Sequence, residues 1–351
     1  MTTPRLTAEM PAMMYGTAWK KERTADLVYK AIKAGFRGID TAAMKKHYDE
    51  VGTGEGIRRA IREGICSRRD LFIQTKFTPL DNTSAYSPTD PIPAQVHTSI
   101  ASSLANLFPR NSSDLSTTTA ADDNDDEPYL DTLILHSPFP TTQQTLEAWS
   151  ALTSYLPASR KSDGDSDLSQ PPGHRRGRAG TILRLGISNV TLPVLHALST
   201  AYAHDPAAAP QIVQNRFYYD AEPAWDVDVR AWCADNDAVT TDNHEPVRYQ
   251  GFWTLTGNAG VWRRAGFVAD VAQGAGVSLA GAWYVLLMEA AKVVVLNGTG
   301  NEAHMREDLE VLGRVERWRK GTAEGREVWR RSVEQFGQLV GGVVDQGGGD
   351  S

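Results

Sequence analysis

Three hydrophobic stretches of this chain each close on a group that can hold or move a proton. Phe36-Arg37-Gly38-Ile39 ends on Asp40, Ile73-Gln74-Thr75 ends on Lys76, and Leu133-Ile134-Leu135 ends on His136. Lys45, His47 and Tyr48 follow the acid within a short polar turn. Reacting groups at the carboxyl ends of several buried strands are the arrangement that α/β barrels use for chemistry. A lysine buried beside an aspartate stays charged and pairs with it. Aimed at a phenol or an imidazole, that charge makes the neighbour a better proton donor. Such a donor can protonate a carbonyl oxygen as hydride reaches the carbon, with a histidine orienting the carbonyl. A nicotinamide cofactor is the natural source of the hydride. The plainer reading is that strand-end polar groups only form structural hydrogen bonds and salt bridges. The strand-end position favours the working role.

The rest of the chain has to set those strand ends. Residues 12–15 are a short apolar run, and 16–20 turn out of it. Leu27, Val28, Ala31 and Ile32 have helical spacing over 24–34, and Gly35 suits the position just past a helix end. The patterning then predicts a helix over 51–65, a strand over 70–77, and a helix through Val96, Ile100, Leu104 and Leu107. Strands over 129–136, 182–188, 211–217, 249–255 and 293–296 alternate with helices over 145–156, 192–198, 227–233 and 277–289. Helices over 302–312 and 328–340 close the chain. Alternating strands and helices imply a parallel sheet. Eight repeats with reactive groups at several strand ends favour a closed (β/α)8 TIM barrel over an open doubly wound sheet. No G-x-G-x-x-G follows the first strand, which argues further against a dinucleotide-binding domain of the open type.

Three polar stretches, 111–127, 159–179 and 240–246, interrupt the rhythm and read as loop insertions. The acidic DDNDDE run in the first lacks the glycine and closing glutamate of a calcium loop. The expected organisation is a single barrel over 1–341 and a loose glycine-rich tail over 342–351. With 41% hydrophobic residues in 351, there is ample core for one large domain. A net charge of −7 implies no broad basic surface for nucleic acid. Cys66 and Cys233 form neither a disulfide framework nor a metal pair, and His47, His97, His136, His196 and His244 lack ligand spacing, so no metal is expected. The amino terminus lacks a signal pattern, and the longest apolar run, near 280–295, is broken by Glu289 and Lys292. A cytoplasmic protein with no membrane partner, monomeric or weakly dimeric, is the expectation.

In order and spacing, the segments GIDTA, IQTKF, LILHSP, LGISN, VQNRF and FWTLTGN resemble the aldo-keto reductase family. That family consists of TIM barrels that reduce carbonyls with NAD(P)H, and the likeness runs from 16 to about 312. The resemblance implies that Asp40, Lys76 and His136 are three members of a catalytic tetrad. It implies that Ser188, Asn189 and Gln214 hydrogen-bond the nicotinamide carboxamide, that Phe252 stacks on the nicotinamide, and that Thr17 is also a cofactor residue. Gly298, Thr299 and His304 fall at the 2′-phosphate, and Glu307 and Asp308 at the adenine. Trp19 falls at the substrate mouth; with Trp253 and the loop 78–93 it suggests an aromatic-lined opening. The implied cofactor is NADP(H), with NAD(H) as the alternative, and the implied partner is a small carbonyl compound.

The chain departs from the family at two places. The family's tyrosine lies five residues after the aspartate, where this chain has Lys45 in DTAAMKKHYDEVG. The spacing from Asp40 to Gly52 is kept, so this is a substitution, and the Lys-His-Tyr run resembles a divergent branch of the family. A helical turn starting at 45 would put 45 and 48 on one face, so Tyr48 is the expected donor, with His47 and Lys45 as alternatives. At the 2′-phosphate, Gly298-Thr299 and His304 stand where the family has Lys-Ser and Arg. Backbone N–H groups of 297–300 and the helix start near Glu302 are then left to hold phosphate. The implied activity is reduction of an aldehyde or ketone. The alternative is a cofactor-binding barrel of weak catalysis that serves as a redox-sensing or regulatory subunit.

Overall fold

The computed structural model describes residues 9–109, 128–157, 180–237 and 247–341. The expected insertions and tail lie outside the described residues. Eight parallel strands close in chain order into a barrel: β1 (Met13–Gly16), β2 (Gly38–Asp40), β3 (Phe72–Phe77), β4 (Thr132–Leu135), β5 (Leu185–Ser188), β6 (Ile212–Arg216), β7 (Arg248–Phe252) and β8 (Val294–Asn297). The first and last strands meet through Met13 opposite Val295 and Tyr15 opposite Asn297. This is the expected (β/α)8 architecture.

Helices α1 (Thr24–Ala34), α2 (Glu50–Arg62), α3 (Ile92–Leu107), α4 (Thr142–Thr153), α5 (Leu192–Ala201) and α6 (Val227–Asp237) follow β1 to β6. Each lays an apolar stripe on the sheet, as Leu27, Val28, Ala31 and Ile32 do in α1. Asp49 caps α2 by accepting from the Gly52 N–H. After β7 the chain differs from the sequence reading. A short α7 (Ala259–Trp262) and a full α8 (Gly266–Ala275) precede α9 (Leu279–Val285), which runs into a π turn over Leu286–Ala290. The apolar set Phe267, Val268, Val271 and Ala272 is the helical signal for α8. Helices α10 (Glu302–Gly321) and α11 (Ala323–Val340) complete the shell, α10 extending well past the expected end. The strands β4 and β7 are shorter than expected. Leu130 makes only a lone bridge to Ile182, so His136 lies one residue beyond β4.

Inside the barrel, Met14, Phe72, Ile134, Ile212 and Val294 form a cluster separate from the main core under the helices. With side chains alternating across each strand, the next inward residues of β3, β6 and β7 are Gln74, Gln214 and Gln250. Above these polar residues sit Asp40 and Lys76, at the carboxyl ends of the strands where the site opens. Among the described residues no single helix is long and apolar enough to cross a membrane.

Candidate active site

Asp40 and Lys76 form a buried ion pair, 3% and 1% exposed. The Lys76 ammonium lies 2.7 Å from each Asp40 oxygen and 2.9 Å from the Thr41 carbonyl, so its three N–H groups are all committed. Asp40 Oδ1 also accepts from Gln74 Nε2 at 2.5 Å and from Gln214 Nε2 at 3.1 Å. His136 places Nδ1 2.7 Å from the Thr78 hydroxyl. Burial, reinforced by the Lys76 charge, pushes the His136 pKa down to about 3, so the ring is neutral at neutral pH.

Three side chains follow Asp40 as alternatives for the same chemistry, and the turn separates them. His47 and Tyr48 both donate their N–H to the Met44 carbonyl, which makes a tight bend, and no helix begins before Glu50. The Tyr48–Met44 bond spans a single helical turn, and Lys45 and Tyr48 both line a cleft of about 300 Å³ beside it. Lys45 is exposed there. His47 is half-buried, its ring 3.8 Å from that of Trp19. Tyr48 turns inward: its ring meets His136 edge-on at 5.9 Å, and the Lys76 ammonium lies 5.1 Å from its centroid. Burial raises the Tyr48 pKa, Lys76 lowers it, and Asp40 raises it.

Asp40, Tyr48 and His136 line one end of a cavity of about 780 Å³, a size suited to a small-molecule or cofactor site. Ser188, Asn189, Gln214 and Phe252 line its middle, and Gly298, Thr299, His304, Glu307 and Asp308 its far end. Trp19 and Trp253, 62% and 52% exposed, stand at the mouth, and the Arg216 guanidinium lies 4.3 Å from the Trp253 ring. Of the sequence-predicted site residues, two do not reach the cavity surface. Lys76 is hidden behind Asp40, and Thr17 is fully buried with its hydroxyl unpartnered, its N–H donating to the Asp40 carbonyl.

In the middle of the cavity, Ser188 Oγ donates to the Gln214 carbonyl at 2.6 Å. Asn189, held at φ 51°, donates from Nδ2 to the His136 carbonyl at 2.9 Å. Gln214 commits its NH2 to Asp40 and Gln250, which leaves its side-chain carbonyl for the cavity. At the far end, several of the N–H groups in and beside the turn expected to hold phosphate are already occupied, those of Gly298, Gly300 and Glu302 not being among them. Thr299 N–H donates to Asn297 Oδ1, Asn301 N–H to Thr299 Oγ1, and Ala303 and His304 N–H to Asn301 Oδ1. Two cations stand over the turn instead. Lys20 Nζ donates to the Gly298 carbonyl, and Arg23 donates to the Gly300 carbonyl at 3.4 Å. Burial, and then the nearby Arg23, lower the Lys20 pKa. Neither cation is in a salt bridge among the described residues. Arg306 is tied to Glu302, and Asp308 accepts from Asn297 Nδ2 at 2.7 Å.

Lys20, Gln74, Gln250 and Tyr284 were not singled out from the sequence. For the glutamines a signal exists: Gln74 lies two residues before Lys76, and Gln250 two before Phe252, so each shares the inward face. Among the described residues no group of three or more His, Cys, Asp or Glu side chains can hold a metal ion.

The model of the aldo/keto reductase family matches residues 12–315. A 68-residue stretch is 48% identical to the NAD(P)H-dependent D-xylose reductase of Pachysolen tannophilus, covering 19% of this chain and 20% of that protein. A 70-residue stretch is 50% identical to the NAD(P)H-dependent pentose reductase of Pyricularia oryzae, with 19% and 20% covered. The matched stretches thus span about a fifth of the length of these relatives. An aldo-keto reductase from a Medee basin deep-sea metagenome library superimposes with a TM-score of 0.61 at 17% identity, covering 93% of this chain and 92% of that one. A Bombyx mori aldo-keto reductase in complex with NADP gives 0.59 at 18% identity, with 93% and 89% covered, and at such identity the likeness speaks for the fold. With a family match over most of its length, this chain belongs to the aldo/keto reductase family.

Proposed function

We propose that the protein reduces an aldehyde or ketone to an alcohol with NAD(P)H, and that Tyr48 gives the proton. The observation that carries this reading is the inward turn of Tyr48. Of Lys45, His47 and Tyr48, only Tyr48 lines the main cavity together with Asp40 and His136. Lys76 has no N–H left for a substrate, and neutral His136 holds no imidazolium proton to give.

The site fits a dihydronicotinamide dinucleotide by its own chemistry. Asn189 and Gln214 keep carbonyl oxygens for a carboxamide NH2, Phe252 offers a ring face, and Gly298 puts no Cβ into the far end. When bound, that cofactor supplies the hydride. The chain's residues do the rest. His136 orients the carbonyl oxygen with a neutral ring. Tyr48 Oη releases its proton to that oxygen, and the Lys76 ammonium offsets the charge left on the phenolate. Asp40 holds Lys76 in place. The matched relatives are named pentose and D-xylose reductases. The two exposed tryptophans at this mouth favour carbonyl compounds that present an apolar face.

The test is oxidation of NADPH and NADH over an aldehyde panel by wild type and Tyr48→Phe. Wild type is expected to turn over, and Tyr48→Phe to lose about 10³-fold in kcat, within the range a general acid contributes, while cofactor binding persists. Equal turnover by both would move the donor to His47 or water. Binding without turnover by wild type would favour a regulatory cofactor-binding barrel.

A further inference from the structure

Gln74, Gln214 and Gln250 lie directly beneath Asp40, inside the barrel and no more than 3% exposed. Barrel interiors are ordinarily filled by branched apolar side chains, and a buried amide without partners costs free energy. Here the amides satisfy one another. Gln250 Oε1 accepts from Gln74 Nε2 at 2.9 Å and from Gln214 Nε2 at 2.8 Å. Gln250 Nε2 returns a bond to Gln74 Oε1 at 2.9 Å and faces the sulfurs of Met10 and Met14 at 3.5 and 3.7 Å. The other N–H groups of Gln74 and Gln214 point at Asp40 Oδ1. The amide orientations are mutually determined: turning Gln74 or Gln214 over would set its carbonyl oxygen against both the carboxylate and Gln250 Oε1.

We propose that Gln250 is a positioning residue for proton transfer: through Gln74 and Gln214 it holds the Asp40 carboxylate, and so aims Lys76 at Tyr48. The inference rests on Tyr48 as the donor. Gln250 touches neither the cavity nor Tyr48, and its effect passes through two amides and one carboxylate. Amide N–H dipoles on Oδ1 offset part of the carboxylate charge. That weakens the acid-weakening influence of Asp40 on Tyr48 and leaves Lys76 the stronger neighbour. The charged and titratable groups around Tyr48 are Asp40 from β2, Lys76 from β3, His136 after β4, and Lys45, His47 and Asp49 of its own loop. Glu50, at the start of α2, acts on the same cluster through Lys76. Substituting Gln250 changes none of these groups.

The decisive variant is Gln250→Met, close in length and volume but without amide donors or acceptor. Its kcat for aldehyde reduction is expected to fall about tenfold, and NADPH affinity by fluorescence, through Gln214, by less. The alkaline limb of its pH profile is expected to move up by about one unit. A wild-type kcat and profile in Gln250→Met overturns the proposal. Should that variant not fold, Gln250→Glu serves. A carboxyl buried against Gln74 and Gln214 starts neutral and replaces the amide, then ionises as pH rises. Activity near wild type at low pH that is lost on its titration supports the proposal, and a wild-type profile throughout overturns it. Tyr48→Phe is measured in parallel. Retained turnover there removes the donor assignment and this inference with it. Loss there beside a wild-type Gln250→Met removes only the glutamine ring.

Discussion

Tyr48 works against its own burial. Desolvation raises its pKa above that of a free phenol, Lys76 pulls it down, and Asp40 pushes it up again. The net rise keeps the proton on the phenol through neutral pH, the form that carbonyl reduction needs. Alcohol oxidation needs the phenolate, so its rate should climb with pH. His136 adds no acid limb in the usual range, because its pKa is held down to about 3. The expected reduction profile is therefore flat from about pH 5 through neutral pH and falls only on the alkaline side, where the buried phenol ionises. A kinetic pKa near 6.5 in kcat, recorded across that span, would show that His136 titrates in the reacting complex and contradict this account. The depressed pKa also bears on stability, and the sign is fixed. The unfolded chain binds the His136 proton first, so stability is present above about 6.5 and is lost as pH falls toward 3. Lys45, exposed and not lining the 780 Å³ cavity, should tolerate Lys45→Ala with kcat within about twofold of wild type, since isolated surface changes act weakly.

At the scale of elements, the β8–α10 turn is closed on itself by Asn297, Thr299 and Asn301 and leaned on by Lys20 and Arg23 from the β1–α1 connection. Two neighbouring cations, in no salt bridge among the described residues, stand over this turn and offer positive charge to a phosphate. Replacing both in Lys20→Met/Arg23→Met should weaken NADPH binding by about tenfold and NADH binding by less than about threefold, as expected for one lost charge-assisted phosphate contact. Fluorescence titration with each cofactor reads the ratio, and equal losses for the two would place the cations at the pyrophosphate and not at the 2′-phosphate. These cations also mark where sequence reading stops. Asp40, Lys76 and His136 were legible because an apolar strand fixes where its last residue points. Lys20 meets Gly298 across 278 positions of sequence, and no local pattern carries such a contact. The turn at Met44 hides Tyr48 in the same way: a polar loop has no periodicity, so which of 45, 47 and 48 faces inward depends on tertiary hydrogen bonds. Helix α8 was missed for a different reason. Its apolar residues carry the helical period, but the expected single crossover between β7 and β8 left no place for an extra helix.

At the scale of the whole molecule, the site is buffered from the shell by how α2 is held. Gly52, Gly54 and Gly56 are buried along α2, which packs between α1 and α3. A Cβ at Gly54 would lie 2.8 Å from the Leu107 carbonyl oxygen and closer still to that of Asn106, both in or beside the end of α3. Those neighbours are backbone, so no rotamer change makes room. Overpacking of this kind costs about 1–3 kcal/mol, and exchanging glycine for alanine in a helix returns about 1 kcal/mol. Gly54→Ala should therefore lose up to about 2 kcal/mol, a drop of at most a few degrees in melting temperature for a domain of this size. The strain should fall on the α2–α3 contact, where Asn106 Nδ2 reaches Glu50 at 3.2 Å. It should not reach Tyr48, because the preceding loop is pinned to the barrel independently. The N–H of Thr41 donates to the Gln74 carbonyl, that of Ala43 to the Lys76 carbonyl, and that of Trp19 to the His47 carbonyl at 2.7 Å. The expected outcome is a lower melting temperature with kcat within about twofold at 25 °C, since separate sites add nearly independently. Calorimetry and turnover on the same preparation decide it. A kcat that falls in step with stability would mean that α2 positions Tyr48 directly.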